Sequence, residues 1–135
     1  EAPIPEGDEV SRFIHSSDHI QKSTGKAKTS AFLPRYEDSF KRFETSLCHT
    51  TVCMPERVWE LARTCRAETL HARVDFAARV AGEVQLACIS SPDHEHNFAE
   101  HAVLIAWPED KLQRKEIAAK LARACPPVQR PPALH

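Results

Sequence analysis

Two apolar runs bracketing a polar, histidine-bearing loop constrain this chain more than any other feature. Residues 84–89 (VQLACI) and 102–107 (AVLIAW) flank a segment holding His94, His96 and His101. Val84, Leu86 and Cys88 alternate with polar or small neighbours, as in a strand with one buried face. The second run is almost wholly apolar, as in a strand covered on both faces. Asp110 followed by Gln113 gives a capping-box pattern, and Ile117, Ala118, Leu121, Ala124 and Cys125 form the inner stripe of a helix over 111–124. Pro126 and Pro127 stop that helix, because proline offers no amide and clashes with the preceding turn.

The remaining segments supply partners for this unit. Residues 10–14 (VSRFI) open a strand or a helix, and 28–33 (KTSAFL) read as a strand closed by Pro34. Residues 38–48 fit either periodicity; strand is preferred because neighbouring strand-like runs need partners. Pro55 suits a first helical turn, and Val58, Leu61, Ala62 and Cys65 extend it as an amphipathic helix over 55–66. A second helix is expected over 70–81, with Val74, Ala77, Ala78 and Ala81 on one side and Gly82 at its end. The sum is a single α+β domain, a four- or five-stranded, mainly antiparallel sheet with helices packed on one side. Six of the ten prolines lie near the ends. Residues 1–9 therefore read as a flexible acidic flank, 10–125 as the folded domain, and 126–135 as a proline-rich tail.

With 135 residues the chain suits one domain. No apolar run approaches the roughly 20 residues of a membrane span, and no leader-like apolar region is visible, so no membrane partner is expected. The first residue is not Met; a processed protein and an excised domain both fit. Five scattered cysteines, an odd number, suit buried thiols in a reducing compartment, and cytoplasmic localisation is the expectation. Net charge is −1, yet residues 11–43 carry +4 and residues 111–135 carry +5 against acidic blocks elsewhere. Such blocks can present a basic face to an anion, although a near-neutral pI excludes the strongly basic class of dedicated nucleic-acid binders.

Three groups of side chains carry candidate chemistry. In the loop, His94, His96 and His101 with Asp93, Glu95 and Glu100 suit a divalent metal, but no established zinc spacing is present. His101 stands where the loop enters the buried strand, a rigid yet reachable position; the alternative there is a ring bonded to a loop carbonyl. Arg12, His15, Ser17 and His19 combine a guanidinium with imidazoles, the pairing that metal-independent phosphodiester chemistry requires. Residues 23–26 (STGK) are not a P-loop, since Ala27 replaces the magnesium-binding hydroxyl.

Three short segments, Arg12-Phe13-Ile14, Ser30-Ala31-Phe32 and His101-Ala102-Val103 ahead of a terminal amphipathic helix, resemble a pattern in small uncharacterised bacterial proteins of accessory type. The resemblance implies that Arg12, Ser30 and His101 converge as a polar trio. The leading expectation is thus a phosphate-containing ligand, nucleotide or nucleic acid, held by Arg12, Ser30 and Lys28. His101, His15 and His19 are the candidate catalytic groups, and no cofactor is required. A non-catalytic interaction module or homodimer is the alternative, and a metal protein built on His94, His96 and His101 the third reading. Arg12 and His101 lining one hollow is the decisive geometric expectation.

Overall fold

The computed structural model describes residues 1–66 and 69–132. Six strands form one sheet: β1 (Glu9–Ile14), β2 (Arg35–Glu37), β3 (Arg42–His49), β4 (Ala72–Ala77), β5 (Ala87–Ser90) and β6 (His101–Ile105). Three α-helices accompany them: α1 (Pro55–Arg66), the short α2 (Arg79–Glu83) and α3 (Lys111–Ala124). The main order is β4-β1-β3-β6-β5, with β2 paired to β3, and every strand pair is antiparallel. The fold is therefore the α+β domain that the alternating and helical runs indicate.

Register decides which side chains share a face. Val10 lies opposite Phe76, and Leu47 opposite Ala102, so these residues point to one side. That side holds the larger core, closed by Ala118, Leu121 and Ala122 of α3 and by Phe32. Ser11, Cys48, Asp75 and His101 are mutually aligned on the other side. There Leu61 of α1 packs with Cys48 and Phe98, and Phe13 joins them. The placement of α1 departs from the one-sided packing expected of the helices. Its apolar stripe has its own smaller cluster to cover, while α3 closes the main core.

Several local expectations change. Residues 28–33 do not form a strand: a 3-10 turn over Thr29–Ala31 buries Ala31 and Phe32 ahead of Pro34. Residues 72–77 form β4 instead of a helix, because Ala72, Val74 and Phe76 fill the core at every second position. Helical structure is confined to α2, and Gln85, with φ 65°, takes the left-handed conformation that Gly82 was expected to supply. The strand over 102–107 ends at Ile105, where Ala106 turns to φ 73°. For α3 the span and cap hold, the Asp110 carboxylate accepting from the Gln113 amide at 2.9 Å, but Ala124 is exposed and Ala122 buried in its stead.

The two flanks are extended but not loose. Ile4 is buried; its amide donates to the Cys88 carbonyl at 3.0 Å, and the Ser90 amide donates to Ala2 at 2.8 Å. The N-terminal segment thus lies along β5. At the opposite sheet edge Arg73 and Gln129 exchange both main-chain bonds, at 2.9 and 2.8 Å. The segment after α3 is thereby laid against β4. Residues 133–135 of the expected tail lie outside the described residues.

Candidate functional site

The site begins where strand pairing stops. β1 and β3 pair through Val10 with His49 and Ser11 with Cys48, and no further. At the next residue the Arg12 side chain takes over from the main chain. Its Nη1 donates to the Ser46 carbonyl at 3.0 Å and its Nε to the Ala31 carbonyl at 2.9 Å. Both partners are neutral. Burial pushes the Arg12 pKa down to about 10, and the nearby positive charge of Arg35 pushes it the same way. Arg35 itself is exposed, and its side chain makes no hydrogen bond or ion pair among the described residues. Neither guanidinium is in an ion pair among the described residues: Glu44, opposite Arg35 on β3, is held by Arg42.

Both arginines line a cavity of about 850 Å³ on the α1 side of the sheet. His15, Ser46 and His101 line it too, as do Asp93 and His96 at the loop. Its apolar wall is Phe13, Leu47, Leu61 and Phe98. A second hollow of about 570 Å³ shares Arg12, His15, Arg35 and Ser46 and adds His19, Glu37 and Glu44. The geometric expectation for Arg12 and His101 is met, since they lie on the same cavity. His15 accompanies them there, and His19 lies on the adjoining hollow.

His101 is placed by its own backbone and by the loop it closes. Its main chain pairs with Cys48, and its ring stands edge-on to Phe98 at 5.2 Å. Nδ1 lies 2.8 Å from the Ser91 carbonyl. A carbonyl only accepts, so Nδ1 carries the proton and Nε2 is the lone-pair nitrogen of the neutral ring. The bland reading of this residue, a ring tied to a loop carbonyl, describes one nitrogen and leaves the other available to the cavity.

Other expected residues fall elsewhere. Lys28 and Ser30 line a separate surface depression with Lys26 and Arg123, because the 3-10 turn directs them away from Arg12. The polar trio of Arg12, Ser30 and His101 is therefore incomplete: Ser46, on β3, holds the place that Ser30 was expected to take. His94, His96 and His101 do not assemble as ligands. His96 bonds Asp93 through Nδ1 at 2.8 Å, His94 is exposed, and no three His, Cys, Asp or Glu side chains gather around a point among the described residues. The His96 contact holds the Asp93 carboxyl below the usual carboxylate range.

The cysteines are all free thiols. Burial raises the pKa of Cys48 and lifts Cys88 and Cys125 to about 12, so these three stay protonated and unreactive. Arg35 is the functional candidate that the sequence did not disclose. Nothing in Pro34-Arg35-Tyr36 distinguishes it from other surface arginines until β2 is seen to bring it beside Arg12. Comparison with protein-family models, with curated proteins and with solved structures gave no match. No helix among the described residues is long and apolar enough to cross a membrane.

Proposed function

We propose that this protein binds a phosphate-bearing ligand in the cavity between α1, β1 and the 93–98 loop. The observation that carries the reading is that Arg12 and Arg35 line one cavity with neither in an ion pair among the described residues. A guanidinium held by two carbonyls keeps a rigid orientation, and its planar fork matches a phosphate or phosphate ester. Arg12 is the fixed member of the clamp and Arg35 the member that closes from the rim. A bound anion supplies the countercharge that Arg12 lacks, and in doing so raises its pKa toward the ordinary value.

The same hollow offers proton transfer. His101 Nε2 is set to accept a proton, because its Nδ1 partner fixes the tautomer. His15 lines the same cavity, and shares the adjoining hollow with the two arginines. Acceptance by one imidazole and donation by another is the requirement for phosphodiester cleavage without a metal ligand set. Binding is the primary claim and turnover the secondary one. An interaction module or homodimer remains the alternative, and it predicts no anion dependence at all.

Calorimetric titration and thermal unfolding with inorganic phosphate, against chloride at matched ionic strength, test the claim. Saturable binding with a rise in melting temperature is expected, since a ligand at a hundredfold excess over its Kd stabilises by about 2.7 kcal/mol. Equal behaviour in phosphate and chloride sinks it. His101→Ala separates the secondary claim: it is expected to abolish any phosphodiester hydrolysis while leaving phosphate affinity within about twofold.

A further inference from the structure

We infer that the ligand of this cavity is a mononucleotide, a nucleoside monophosphate, and not a nucleic-acid strand. The inference rests on the phosphate-binding reading above and adds the rest of the ligand. The cavity combines three kinds of lining. Arg12 and Arg35 line it together with Phe13, Leu61 and Phe98 and with Thr64 and Asp93, whose carboxylate also accepts from His96. A nucleoside monophosphate has the matching set of groups: a dianion, an aromatic face, and hydroxyl or ring N–H donors. A carboxylate is the natural acceptor for those donors.

Charge on either side of the arginines rules against a longer chain. A strand carries one negative charge per nucleotide and is held by cations along a track. Here the adjoining hollow that shares Arg12 and Arg35 contains Glu37 and Glu44, and the cavity itself contains Asp93. Glu44 is already engaged by Arg42 at 2.7 Å, but Glu37 makes no salt bridge. A second phosphate extending in either direction meets a carboxylate. The basic residues Lys26, Lys28 and Arg123 lie on a separate depression and do not continue the track. The cavity, about 850 Å³ in all, is ample for one nucleotide.

The test is calorimetry on the full chain with AMP, UMP, ribose 5-phosphate, inorganic phosphate and an oligothymidylate of about ten residues lacking terminal phosphates. At least one nucleotide is expected to bind about tenfold or more tighter than ribose 5-phosphate, because contact of a base with aromatic and apolar side chains adds about that much. The oligonucleotide is expected neither to bind nor to displace it. Thr64→Trp, at an exposed α1 position facing the cavity, should weaken nucleotide binding about tenfold. It should leave inorganic phosphate unaffected, and circular dichroism checks that the variant folds. Nucleotides no better than ribose 5-phosphate, or an oligonucleotide tighter than both, overturns the inference while the anion site stands. Failure of every phosphate compound overturns both.

Discussion

Arg12 and Arg35 divide the work of one site, and single substitutions separate them. The Arg35 side chain makes no hydrogen bond or ion pair among the described residues, so Arg35→Ala is expected to weaken phosphate binding about tenfold while changing stability by less than about 0.5 kcal/mol. Arg12→Ala also removes the donors on the Ala31 and Ser46 carbonyls, and should abolish binding and lower stability by about 1–3 kcal/mol in urea denaturation. The pH dependence follows from the same burial. The free protein's Arg12 pKa is about 10, depressed below its ordinary value, so the charge needed for binding is complete below that pH. Phosphate affinity should begin to fall as pH rises past about 10. In Arg35→Ala the onset should move upward, since one of the two influences lowering the pKa is gone. An affinity unchanged through that range would show that Arg12 does not carry the anion. Arg12 was legible as a charge set inside the apolar run VSRFI, and His101 as a polar residue opening one. Arg35 had no such frame.

At the scale of elements, β4 shows why spacing alone misled. Val74, Ala77, Ala78 and Ala81 satisfy a helical stripe, yet Ala72, Val74 and Phe76 satisfy a strand equally well, and alanine favours neither face strongly. Tertiary partners decided it, with β1 pairing along all six residues of β4. The choice places Arg73 and Asp75 on the α1 face, where both are nearly enclosed. Asp75 accepts from Ser11, from Gln129 at 2.8 Å and from Arg73 at 3.2 Å, while Arg73 stacks on Trp59 at 4.9 Å. The Arg73 atoms Nε and Nη1 are buried without a hydrogen-bond partner, so this guanidinium depends on Asp75 for compensation. Asp75→Ala is expected to cost about 3–5 kcal/mol, since it strands a buried charge. Gln129→Ala, which removes one bond of three, should cost about 1 kcal/mol. Comparable losses from the two variants in equilibrium unfolding would refute that ranking. Helix α3 was legible because cap and proline stop agreed with most of its stripe, and α1 from Pro55 and its stripe, although Ala124 and Cys65 are exposed. The 28–33 turn was not, because a buried Phe32 beside Pro34 looks the same in a strand end and in a 3-10 turn.

Across the whole molecule, the sheet is closed at both edges by segments whose prolines suggested loose flanks. The prolines are better explained as edge protection. Ala2 and Ile4 turn their main-chain groups toward β5, whereas Pro3 forms the intervening bridge opposite Ile89. Alternation along a strand then points the Pro3 main chain outward, and the same alternation carried on does so for Pro5. Neither has an amide to offer an incoming strand, which is how exposed edges avoid pairing between molecules. Replacing both, as Pro3→Thr with Pro5→Thr, restores outward donors without touching the bonds made by Ala2 and Ile4. Stability should change little, and sedimentation velocity should show more concentration-dependent self-association than the parent chain does. Ile4→Ala acts through the opposite route. It removes the buried side chain that holds the segment down, costs about 2–4 kcal/mol, and exposes β5 itself. If the proline variant stays monomeric while Ile4→Ala associates, protection lies in covering β5 alone; if neither associates, the N-terminal segment is not guarding an edge.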